Sequence, residues 1–176
     1  HLSRSPGASL PSRCGWEWPK GGLVEHLVVL NDRLVVVDEY RSRMHSFDPE
    51  TGTWLRLPDP PLNDCDGRGV VSLAGKIYVM GGSVSRAGTG LGPRVADVYI
   101  FDGHEWSAGP PLPSPARSDL VGASASADSI LFVATVNHDN SLDSRCVFVL
   151  RGETWHTHRV AYDKIGPRCA ITSYCA

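Results

Sequence analysis

The stretch that decides the fold is residues 73–113, LAGKIYVMGGSVSRAGTGLGPRVADVYIFDGHEWSAGPPLP. An apolar run ends in the doublet Gly81-Gly82, and a segment rich in Gly, Ser and Arg follows. A second apolar run over 95–101 leads through a polar turn at 102–105 to Trp106. Short β-rich runs bounded by turn residues read as strands. No apolar stripe of helical period is long enough here to compete.

The same order recurs on both sides. Upstream, DRLVVV (32–37) is followed by MHSFDPETGTW (44–54), and downstream DSILFV (128–133) is followed by CVFVLRGETW (146–155). Trp54, Trp106 and Trp155 stand 52 and 49 residues apart. A repeat of that length holding four short strands is the signature of a β-propeller blade.

IYVMGG (77–82), FDPETGTW (47–54) and the following LPDPP (57–61) resemble the kelch motif, with its paired glycines, its aromatic-Asp-Pro-x-Thr turn and its spaced tryptophan. The resemblance runs from about Leu27 to the end of the chain, good in the first two repeats and degenerate in the third. Val37-Asp38 and Ala134-Thr135 stand where the family has paired glycines. The middle of the first repeat and its LPDPP are also similar to plant-type F-box/kelch proteins. The resemblance implies an all-β, kelch-type β-propeller, here with about three complete four-stranded blades and partial strands at both ends.

The expected boundaries are an irregular leader or outer strand of a preceding blade over 1–22, blades over 23–62, 63–113 and 114–166, and the first strand of a further blade over 167–176. Turns are expected at Asn31-Asp32-Arg33, at 49–52 and at Ala74-Gly75, where Asn, Pro and Gly pre-set or tolerate the required backbone angles. The proline runs 58–61 and 109–111 end outer strands, because proline cannot donate to a ladder. Three blades do not close a ring, so the chain reads as part of a larger propeller, and a first residue that is His rather than Met agrees with a fragment.

Composition bounds the function. With 176 residues, 41% hydrophobic and 20% charged, the chain suits a globular domain rather than a disordered one. A formal net charge of −2 and the lack of a basic run argue against nucleic acid as a partner. The longest apolar run, 130–136, is too short to span a bilayer, and no charged-then-apolar leader is read at the start. Five cysteines, with no CxxC pair, do not form a disulfide framework. A reducing compartment follows, cytoplasmic or nuclear.

In a four-stranded antiparallel blade, the loop between strands two and three shares a side with the blade-to-blade links. On that side lie the long segments 38–43, 83–94 and 137–143, with the links 62–68, 114–117 and 163–168. The opposite side holds only short turns at 48–53, 102–105 and 151–154. Long polar loops on a rigid scaffold carry recognition. The first side gathers Arg43, Arg68, Arg86, Arg94, Arg117, His138 and Arg168, which are the expected partner-binding residues. Arginine suits two-pronged capture of carboxylates, while the plain alternative is that these side chains are solvated or pair with loop aspartates. The resemblance implies a peptide or protein ligand on this side, and Arg117 matches the family's usual arginine position best.

Other motifs carry less. The segment GTGLGP (88–93) lacks the Lys-Ser/Thr ending and the following helix of a phosphate loop. His156 and His158 share one face of a strand, but no acidic or thiol ligand at zinc-like spacing joins them, so no metal or other cofactor is expected. No serine sits in a nucleophile elbow. The Cys, Tyr and His set of the copper-oxidase propellers and the Glu-x-x-x-Asp-x-x-x-His spacing of the iron-dependent specifier proteins are not found. The expectation is a non-catalytic protein–protein interaction module, the substrate-recognition part of an F-box/kelch-like ubiquitin ligase adaptor. A propeller enzyme acting on a small molecule and a structural subunit of a larger assembly remain open as alternatives.

Overall fold

A computed structural model describes residues 26–38, 43–61, 65–86, 90–117, 123–126, 128–138 and 141–159. The expected strands at 1–22 and 167–176 lie outside the described residues. All regular elements described are β-strands.

The first sheet contains β1 (His26–Leu30), β2 (Arg33–Asp38), β3 (Arg43–Asp48) and β4 (Thr53–Leu57) in sequential antiparallel order. Its first hairpin turns on Asn31 and Asp32 with φ of 49° and 61°. Two consecutive positive φ values match the twist of the flanking strands, and Asn and Asp tolerate them because their side chains bond locally. Alternation places Val28 and Leu30 inside and leaves Leu27 and Val29 on the opposite face.

The second sheet is built from β6 (Gly69–Leu73), β7 (Lys76–Met80), β10 (Val98–Phe101) and β11 (Trp106–Ala108). The third uses β14 (Ser129–His138), β15 (Ser141–Arg151) and β16 (Thr154–Arg159). Its innermost strand is split into β12 (Ala116–Arg117) and β13 (Ala123–Ser126), both paired with β14. The first strands of the three blades lie side by side: β1 beside β6, and β6 beside β13. This is three blades of a propeller.

Two apolar cores fill the gaps between blades. Val28, Leu30, Val37, Met44, Ile77, Val79 and Phe101 join the first blade to the second. Met80, Val98, Leu112, Ile130, Phe132 and Phe148 join the second to the third. Burying each such side chain stabilises by about 1.5–3 kcal/mol, so the blades are held chiefly by their neighbours.

The repeated tryptophans have a second task. The Trp106 indole N–H donates to the Pro58 carbonyl at 3.0 Å, and that of Trp155 to the Pro110 carbonyl at 2.8 Å. Each outer strand thereby pins the proline-rich link that leaves the preceding blade. Proline keeps a carbonyl acceptor although it lacks a donor.

Two expected loops are strands instead. Residues 83–94 contain β8 (Ser83–Arg86) and β9 (Gly90–Arg94), which with β5 (Cys65–Asp66) form a small sheet of order β5-β8-β9. The segment is poor in β-branched side chains, so its pairing comes from the backbone, helped by the buried Ser83 hydroxyl donating to the Gly92 carbonyl at 2.7 Å. Likewise β14 and β15 run on to His138 and Ser141, turning most of 137–143 into a hairpin arm.

Candidate functional site

Three backbone segments meet where the link into the third blade passes the glycine doublet. The Gly82 N–H donates to the Ala116 carbonyl (2.8 Å), Ala116 N–H to the Val95 carbonyl (3.1 Å), and Val95 N–H to the Gly82 carbonyl (3.0 Å). This closed ring of three hydrogen bonds explains the doublet. A Cβ on Gly81, whose φ is 63°, would lie 2.5 Å from the Ala116 carbonyl oxygen, so both the backbone angle and the space require glycine.

One residue outward from this knot the chain places Ser83, Arg94 and Arg117. Ser83 is paired with Arg94 in the β8–β9 register, and Arg117 follows Ala116, which bridges Val95 in antiparallel sense. The two guanidinium-bearing positions are thus brought together by backbone geometry, both half-buried. Arg117 lies along Gly67, whose φ is 69°; a Cβ there would stand 2.5 Å from Nε and 2.7 Å from Cγ of Arg117. Gly67 is therefore the groove that holds the Arg117 stem.

Arg68 departs from the expectation that it faces a partner. It is 2% exposed, and its guanidinium carbon lies 5.8 Å from the centre of the Tyr99 ring. Its neighbour Gly69 leaves room for Phe132 of the third blade, whose ring carbon Cε2 stands 2.5 Å from the position of a Cβ on Gly69. Arg68 is a buried cation set over the Tyr99 ring, a cation–π contact that desolvation strengthens. All three arginines make contacts within the chain.

The remaining expected residues are spread more widely. Arg43 is exposed at the start of β3, opposite Asp38 in the register of the first blade. Nearby His45 has its pKa lowered, by burial first and then by Arg56 and Arg43. Arg86 ends β8 and His138 ends β14, at the far ends of the two hairpin arms. Arg168 lies outside the described residues. Arg94 and Arg117 alone of the described candidates are set together by the knot. Among the described residues no group of three or more His, Cys, Asp or Glu is arranged to hold a metal ion.

The roles of Gly67 and Gly69 escape a reading of sequence, although their alternation around Arg68 was a signal. Paired small residues flanking a large one mark close approach by something distant in the chain.

The kelch motif family model matches residues 64–113. Kelch repeat and BTB domain-containing protein 12 of Danio rerio is 37% identical over 83 residues, covering 44% of this chain and 13% of that protein. The chain thus spans a small fraction of the length of that relative. The solved structure of YjhT matches with a TM-score of 0.55 at 11% identity, over 75% of this chain and 44% of that one. At that identity the likeness is one of fold.

Proposed function

We propose that this kelch-repeat β-propeller protein, a protein-interaction module, serves as the substrate-recognition part of a ubiquitin ligase adaptor of the F-box/kelch kind. The observation that carries the reading is the backbone knot Gly82–Val95–Ala116, which sets Arg94 and Arg117 together on the side of the hairpin arms. Their half-buried stems lose little freedom on binding, and two planar donors favour carboxylate side chains of a partner segment. The backbone positions of Arg43, Arg86 and His138 lie along the same side. The module itself is non-catalytic, and it works in the cytoplasm or nucleus.

The kelch–BTB combination in the name of the Danio rerio relative supports an adaptor over an enzyme. The test is affinity capture by the full-length protein. Wild type should retain a reproducible set of proteins together with a ubiquitin-ligase scaffold, and R94A/R117A should lose the set while keeping the scaffold. Loss of neither sinks the recognition role. Capture of partners without any ligase component sinks the adaptor role alone.

A further inference from the structure

The link into the second blade carries Gly67-Arg68-Gly69, and each residue meets a different neighbour. Gly67 lies against Arg117, Arg68 against the Tyr99 ring, and Gly69 against Phe132. Gly69 also opens β6, where it is paired with Met80. Both blades that enclose this link are described, so the contacts do not depend on chain beyond them.

The φ of 69° at Gly67 does not by itself call for glycine in this chain. Asn31, Asp32 and Ala74 hold φ of 49°, 61° and 50°, and Asn and Asp enter that region at small cost. The space beside Gly67 does call for it. From the position of a Cβ there, Nε, Cγ and Cδ of Arg117 stand at 2.5, 2.7 and 3.1 Å. Three atoms of one side chain therefore run across the bare Cα. At Gly152, with φ of 58°, no described atom stands within 4 Å of such a Cβ.

A solvated arginine has no use for a recess. Holding one costs more rotamer freedom than holding most side chains. Here that cost is met in folding, before any partner arrives, which is how a site is pre-organised.

We infer that Gly67 is a positioning residue of the partner surface: its missing side chain sets the course of the Arg117 stem, and with it the place where the guanidinium meets a carboxylate. This rests on the recognition reading above. Arg94 and Arg117 are the positions next to the antiparallel Val95–Ala116 bridge, so moving Arg117 alone breaks the pair while both arginines are present. A side chain at position 67 collides with flexible arginine atoms rather than with backbone. The link beneath cannot give way, because Arg68 is 2% exposed and Gly69 is filled by Phe132. Arg117 is therefore what moves, and binding separates from stability.

Gly67→Asn is the diagnostic variant, since asparagine accepts the backbone angle but brings a Cβ. The probe is a fluorescein-labelled hexaglutamate peptide, titrated into the full-length protein by anisotropy. The Nε–H NMR signal of Arg117, assigned by its loss in R117A, reads the position of the stem directly. G67N should leave the melting temperature close to wild type and move the Arg117 signal toward that of free arginine. It should weaken hexaglutamate by about tenfold or more, as R117A does, the loss of a charge-assisted contact. In the R117A background G67N should add no further loss, because the two residues act as one unit. An unmoved Arg117 signal in G67N, wild-type affinity in G67N where R117A binds weakly, or additive losses in the double variant overturns the positioning role. So does a large fall in melting temperature for G67N that R117A does not relieve. Wild-type affinity in R117A sinks instead the recognition reading, and the Arg117 signal in G67N still decides the positioning.

Discussion

Replacing Gly69 by alanine tests how the second and third blades fit together. The added Cβ would lie 2.5 Å from Cε2 and 2.6 Å from Cδ2 of Phe132, a ring that is fully buried. Carbon atoms rest at about 3.5–4.0 Å, so an overlap on the order of 1 Å must be relieved. Phe132 cannot swing freely, because Phe148 packs beside it with ring centres 6.3 Å apart. Overpacking of this kind costs about 1–3 kcal/mol. Removing a glycine from a strand returns about 0.5–1 kcal/mol through the unfolded chain. The net expectation is destabilisation by about 1–2 kcal/mol, read from urea unfolding followed by tryptophan fluorescence at constant m-value. F132L should recover much of that loss in the G69A background while being destabilising alone, the non-additivity expected of residues in contact. Wild-type or greater stability for G69A, or strict additivity in the double variant, refutes the packing.

Three further outcomes follow from single contacts. W155F keeps the ring but loses the 2.8 Å bond to the Pro110 carbonyl, and should lower stability by about 1–2 kcal/mol; an unchanged urea midpoint contradicts the pinning role. Ala74 sits at φ 50° beside Gly75 in a two-residue hairpin, so A74N should stabilise by about 1 kcal/mol, and a lower melting temperature would speak against the turn geometry. Asp48 and Asp102 have lowered carboxyl pKa values, mainly through the backbone N–H groups they accept from. The native state therefore binds fewer protons than the unfolded one. The stability these groups supply is present above the ordinary carboxyl range and drains as pH falls through the lower folded values. D48N/D102N should flatten the acid limb of stability below about pH 4, and an unaltered limb would place the acid sensitivity elsewhere.

The blades were legible because β-branched runs and turn chemistry act locally and recur with the spaced tryptophans. Residues 27–30 and 34–37 are continuous apolar runs, and Asn31-Asp32 and Ala74-Gly75 lie at the turns between such runs. The β8–β9 hairpin was not legible, since its glycines carry no side-chain preference and its partner β5 comes from the preceding link. Arg94 and Arg117 stood out as loop arginines, but what joins them is the ring of hydrogen bonds at Gly82, Val95 and Ala116. The burial of Arg68 was hidden for a physical reason. Arginine is rarely buried unless paired or stacked, and the Tyr99 ring and the flanking glycines that permit it are assembled only in the folded chain.

We propose that Arg94 and Arg117, set side by side by the backbone knot, form the surface that holds a partner protein. Site-specific photocrosslinking in cells tests this from the exposed position 115 of the full-length protein, which leaves both arginines in place, with position 76 on the opposite side of the second blade as control. Crosslinks to discrete partners are expected from position 115, to vanish in the R94A/R117A background, with none of those partners from position 76. The same partners from both positions, or crosslinks from 115 that persist without the two arginines, would overturn it.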